Sequence, residues 1–131
     1  MVELRATLGK LVGDAVQLVG DDGSVVSVVV AGGRRQEVRA SRVGSSYIFS
    51  STAVPRRHLQ GLNSEQVAAL IWQRNQAGEV VAYAIDARGR LVGRAELPCS
   101  MLTAANAGFL VERVASECDR LEYLFTGGDH E

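Results

Sequence analysis

Between Val16 and Val54 apolar residues recur every second position in one run after another, and no stretch of that span has helical spacing. Strands laid down in succession in this way pair antiparallel, as a meander, because parallel strands need a helix-sized crossover between them. "VQLVGDDGSVVSVVVAGG" holds a turn at Asp21-Asp22-Gly23 and then the β-branched run Val25 to Val30 of a strand buried on at least one face. "AGGRR" reads as a hairpin turn, since paired glycines supply the positive φ that tight turns require. "QEVRASRV" sets Val38 and Ala40 on one face and Arg39 and Ser41 on the other, and "YIFSSTAV" places Tyr47 and Phe49 together as core. Three or four antiparallel strands follow.

Around this block the period changes to three and four. Leu4, Leu8, Leu11, Val12 and Ala15 predict an opening amphipathic helix, weakened by Gly9 and Gly13 at about 1 kcal/mol each. After the basic loop "PRRHLQG", Asn63 with Gln66 three positions later is a capping signature for a second helix, whose stripe is Val67, Leu70, Ile71 and Arg74 and whose end lies near Ala77-Gly78. A hairpin comes next: Val81, Tyr83 and Ile85 point one way, Asp86–Gly89 turns, and Leu91, Gly93 and Ala95 alternate before Pro98. Thr103 is the expected N-cap of a long final helix with Ala107, Leu110, Val111, Val114, Cys118, Leu121 and Phe125 inward. Glu112, Arg113, Glu117, Asp119, Arg120 and Glu122 are expected on its other faces, and Gly127-Gly128 ends it before a frayed "DHE" tail. Helices and strands are segregated, so the class is α+β, in a single domain spanning residues 1–131.

Candidate chemistry is sparse. His58 and His130 are the only histidines, and neither is placed as a metal pair or a general base. "SRVGSSYIFSST" lacks a nucleophile elbow and a base partner. Asp21-Asp22-Gly23 lacks the regular oxygen spacing of a calcium loop, and neither "GDDGS" nor "AGGRR" matches a phosphate-binding loop. Cys99 and Cys118 have no metal or redox spacing, and Cys118 falls on the apolar face of the last helix as a small hydrophobe. No catalytic residue, cofactor or metal is therefore expected. No apolar run approaches the ~20 residues of a spanning helix, and the N-terminus lacks a signal pattern, so a cytoplasmic location without membrane contact is expected.

Charge is uneven although the net is −1: residues 1–58 carry eight Lys/Arg against five Asp/Glu, and residues 59–131 carry six against ten. Arg34, Arg35, Arg39, Arg42, Arg56 and Arg57 are opposed in their segment only by Glu37 and form a candidate basic patch. Two readings compete for it. One is a nucleic-acid-associated protein using an Arg-rich meander; the other is a solvated sheet face or a patch for an acidic protein, favoured because a neutral chain lacks the basic excess that drives phosphate binding. Trp72, beside the stripe of the second helix, is partly buried core or an interface anchor.

At "LIWQRNQAGEVVAYAIDARGRLVGRAELP" followed by "LTAANAGFLVERVASECDRLEYLFTG" the chain resembles the YbjN-like proteins. The resemblance rests on a helix ending in an apolar-to-Asn step, Ile71 to Asn75, the alternating strand, the Asp86–Gly89 turn, a strand ending in Leu97-Pro98, and the long terminal helix containing "ECDRLEYL". It covers residues 62–128 well and the first half only in element order. That family is similar in fold to the type III secretion chaperones, and both are peptide-binding chaperone-like domains. The resemblance implies an α-β-β-β-α-β-β-α domain with helices on one face of an antiparallel sheet, frequent homodimers, and non-enzymatic binding of partner proteins. It carries over no catalytic residue. Secretion chaperones are often acidic; this near-neutral chain fits a general adaptor of YbjN type better. Trp72, Tyr83, Ile85 and Leu91 are the candidate contact residues, with intramolecular core as the competing reading for Ile85 and Leu91.

Overall fold

The computed structural model describes residues 2–19, 24–77 and 80–126. The turn expected at 21–23, the glycine at 78, the pair at 127–128 and the tail with His130 lie outside the described residues. The elements run α1 (Val2–Gly9), β1 (Val16–Val19), β2 (Val25–Val29), β3 (Arg35–Val43), β4 (Ser46–Val54), α2 (Arg56–Leu59), α3 (Ser64–Gln76), β5 (Ala82–Ile85), β6 (Leu91–Pro98) and α4 (Ala104–Thr126). One six-stranded antiparallel sheet has the order β1-β2-β3-β4-β6-β5, and the helices pack on one of its faces. The class is α+β as expected, with four strands in the meander where the family pattern has three.

α1 is shorter than its stripe. Leu4 and Leu8 are fully buried, but Val12 is half exposed, because the helix stops at Gly9 and the chain turns through Gly13, whose N–H donates to the Val16 carbonyl at 2.9 Å. The segment read as a basic loop contains the single turn α2, started by Pro55, whose φ of −63° suits a helix entry and whose carbonyl accepts from His58 and Leu59. α3 begins where expected: the Asn63 side chain accepts from the N–H groups of Glu65 and Gln66 at 2.9 and 3.2 Å. Thr103 caps α4 in the same manner, its hydroxyl accepting from Asn106 N–H at 3.0 Å.

Strand alternation decides what each face carries. Val38, Ala40, Tyr47, Phe49, Leu91 and Ala95 point to the helices and are buried, whereas Arg35, Glu37 and Arg39 point to the helix-free face. The β2–β3 connection turns through Gly32 and Gly33, both at φ +79°. At the β5–β6 turn, Gly89 has φ +78° and donates to the Asp86 carbonyl at 3.0 Å. Burial alone would raise the Asp86 carboxyl. Hydrogen bonds from the Arg90 side chain and from the backbone of Arg90 and Arg88 outweigh it and hold the group below the usual carboxylate range.

α4 lies unusually close to β6 because Gly93 has no side chain. A Cβ there would sit 2.6 Å from Cys118 Sγ and 2.9 Å from Val81 Cγ1. Cys118 is a buried packing group, and burial pushes its thiol up to about 12. Two acidic residues expected on the outer faces of α4 are buried instead. Asp119 accepts from Arg34 Nε at 3.0 Å and Nη2 at 2.6 Å, and Glu117 pairs with Arg120 and with Arg113 at 3.9 Å. The sheet is wide enough to cover the flanks of α4, and each carboxylate is tolerated there because a guanidinium meets it.

The two sheet edges differ. At β1, Val29 N–H donates to the Ala15 carbonyl at 2.8 Å. That sets the phase of the ladder: Gln17 and Val19 exchange bonds with β2, and Val16 and Leu18 turn their backbone groups outward. The Val16 carbonyl is taken by Gly13, leaving Leu18 at an open edge. At β5 the middle of the edge is closed by a side chain from α3.

Candidate interaction surfaces

The closing group is the Asn75 carboxamide. Its Nδ2 donates to the Tyr83 carbonyl at 3.0 Å and its Oδ1 accepts from Tyr83 N–H at 2.8 Å, the two bonds a neighbouring strand would make. An exposed edge is a template for unwanted pairing, and here a helix covers it. Asn75→Ala leaves both part-buried backbone groups without these partners. We expect a loss of about 1–3 kcal/mol in chemical denaturation, together with concentration-dependent self-association in light scattering.

Of the four candidate contact residues, Trp72 and Ile85 are solvent-facing, at 64% and 48% exposure, while Tyr83 at 4% and Leu91 at 0% belong to the core. Contrary to expectation, Tyr83 and Leu91 are not surface contact residues, for a geometric reason. Both face the helix layer, and Tyr83 lies opposite Gly93, where its Cε1 would be 3.1 Å from a Cβ and so fills the space the glycine leaves. Burial raises the Tyr83 hydroxyl far above its ordinary value. Ile85 shares that face but lies at the rim, lining an apolar groove of about 310 Å³ with Leu59, Leu62, Val67 and Ile71. Trp72 stands one helical turn beyond Ala68, another groove-lining residue.

The six arginines do not form one patch. Arg34 turns toward the helix layer, binds Asp119 and stacks 5.6 Å from the Tyr123 ring centroid. Arg42 faces the same side at a strand end and donates to the Gly44 carbonyl at 3.2 Å. Arg56 and Arg57 are carried on α2, Arg56 packing its stem over Gly89. Only Arg35 and Arg39 lie together on the helix-free face. They border a shallow depression of about 290 Å³ lined also by Val25, Glu37, Ser50, Thr52 and Val92. Arg94, which sequence reasoning did not single out, joins them, because Ser50 pairs with Arg39 on one side and Arg94 on the other. Strand pairing was the missing information. In the sequence Asn75 was visible only as the asparagine at the end of the second helix.

Among the described residues no group of three or more His, Cys, Asp or Glu side chains could hold a metal ion, and no helix is long and apolar enough to cross a membrane.

A six-stranded antiparallel sheet with helices on one face is the architecture of the type III secretion chaperones. Three solved structures illustrate the likeness. A chain of the heterodimeric ExoU–SpcU complex from the type III secretion system of Pseudomonas aeruginosa is 21% identical with a TM-score of 0.58, the match covering 98% of this chain and 100% of that one. A chain of the ExsC–ExsE complex is 12% identical with a TM-score of 0.61, over 95% and 94% of the two chains. A chain of the HopA1–SchA chaperone–effector complex is 11% identical with a TM-score of 0.54, over 96% and 89%. No family model matches the chain, and neither does any curated protein.

Proposed function

We propose that this chain is a non-enzymatic protein-binding module, a chaperone or adaptor of YbjN type that acts in the cytoplasm as a homodimer. The observation that carries the reading is the pair of exposed apolar side chains, Trp72 and Ile85, beside the α2–α3 groove at the β5 edge of a one-sided sheet. Large aromatic anchors of this kind concentrate binding energy where they become desolvated. The three similar folds were each solved in complex with a partner protein, which supports the same reading. Because Asn75 occupies the backbone groups of Tyr83, contact at this edge is made by side chains rather than by continuing the sheet.

Size-exclusion chromatography with light scattering tests the homodimer. A dimer at micromolar concentration is expected for the unaltered chain and a monomer for Trp72→Glu and Ile85→Glu, with unchanged circular dichroism. A strict monomer at high micromolar concentration overturns that part of the proposal.

A further inference from the structure

On the helix-free face Arg35, Arg39 and Arg94 outnumber the carboxylates Glu37 and Glu96, and Glu96 lies beyond Arg94 at the end of β6, where it accepts from Ser46 Oγ at 3.0 Å. Arg35 is held by a neutral partner, donating through Nε to Ser27 Oγ at 2.8 Å and through Nη2 to the Ser27 carbonyl at 3.2 Å. Arg39 and Arg94 have no ion-pair partner among the described residues. Arg90, at the rim, is already neutralised by Asp86 at 2.7 Å. The one carboxylate inside the depression is Glu37, midway between Arg35 and Arg39 on β3.

Spacing turns this charge into a pattern. Arg35 and Arg39 are four residues apart on one strand, so their Cα atoms are ~13 Å apart along it, the distance that separates positions i and i+4 of any extended chain. Arg94 lies two strands from Arg39, about 10 Å across the sheet. Between them the surface is Val92 with the hydroxyls of Ser50 and Thr52, and Val25 flanks Arg39 on the other side, so the floor is apolar enough to contact a peptide and polar enough to bond its backbone.

We propose that this depression holds an extended acidic segment of a protein partner, whose carboxylates four residues apart seat on Arg35 and Arg39. Glu37 repels a third carboxylate at the middle position and so selects a neutral or basic residue there. Nucleic acid fits less well, because a phosphate backbone would set uniform negative charge against Glu37 and the face offers no exposed aromatic platform among the lining residues. The inference names the partner chemistry of the protein-binding reading and rests on it, but it uses a surface separate from the Trp72 edge.

The test is fluorescence anisotropy with labelled extended peptides on a valine–threonine background, their two glutamates placed two, four or six positions apart, and with oligo(dT) as the nucleic-acid probe. The unaltered protein is expected to bind the four-residue spacing best, with affinity falling as salt rises. Arg39→Glu and the milder Arg39→Gln are expected to weaken that peptide by roughly tenfold or more, at an unchanged unfolding midpoint, while Trp72→Glu leaves it intact. Indifference to glutamate spacing, indifference to both Arg39 variants, or capture of oligo(dT) in place of the peptides overturns the proposal. None of those outcomes touches the homodimer, which the light-scattering measurement decides separately.

Discussion

Gly93→Val unfolds this protein well below the temperature at which the unaltered chain melts. The added side chain starts from a Cβ only 2.6 Å from Cys118 Sγ and 2.9 Å from Val81 Cγ1, with the Tyr83 ring at 3.1 Å, so it meets buried groups on three sides. None can swing into solvent, since Cys118, Val81 and Tyr83 are all core residues. α4 must therefore rise off the sheet, and α4 covers β4, β6 and β3 together. Overpacking of this kind costs about 3 kcal/mol, which lowers the midpoint of a domain this size by about 10 °C. Cys118→Ala in the same chain removes the nearest clash and is expected to return part of the loss, giving a measurable coupling in a double-mutant cycle. Gly61→Ala, where a Cβ meets nothing within 4 Å, is the control and changes little. A midpoint for Gly93→Val within a degree or two of the original means that the glycine does not set the helix-to-sheet distance.

The second large effect is at Arg34. Its guanidinium meets both oxygens of Asp119, whose side chain is 7% exposed against 22% for Arg34. Arg34→Met preserves much of the stem but strands a buried carboxylate, and the expected loss is about 3 kcal/mol, slightly discounted for the partial exposure of the arginine. The pair Arg34→Met with Asp119→Leu recovers most of it, because two apolar groups of similar volume remove the unpaired charge. Urea denaturation of both single variants and the double variant reads this directly. If Arg34→Met alone costs under half a kcal/mol, water reaches Asp119 and the bond between the β2–β3 turn and α4 is a surface feature.

These two sites mark where local pattern stops informing. Caps and turns were legible because their chemistry is contained within four residues: Asn63 and Thr103 cap their helices, and Asp86–Gly89 turns, as spelled. Alternation showed that Val38 and Arg39 take opposite faces. It could not show which face of the hairpin the helices would cover, and so Tyr83 and Leu91 looked as available for contact as Ile85. The arginines fared similarly. Six of them in 24 residues suggest a patch, but Arg34, at the end of the β2–β3 connection, turns away from Arg35, and only the register of β3 with β4 and β6 reveals that Arg94 completes the set. Asp119 read as solvent-facing because a helical wheel knows nothing of a partner 85 residues away, and Glu117 because its partners Arg113 and Arg120 are local but the sheet that covers it is not.

The unequal borders of the sheet also set how copies of this chain can assemble. Endless head-to-tail stacking requires two complementary borders on every unit, one to receive and one to offer. Here the carboxamide of Asn75 imitates a strand at the far border, whereas Leu18 keeps its backbone groups turned outward at the near one. Growth through main-chain bonds can then join two molecules about a two-fold axis, near border to near border, while Asn75 obstructs it at the middle of the far one. One side-chain amide thereby keeps the sheet itself from being the thread of a fibre.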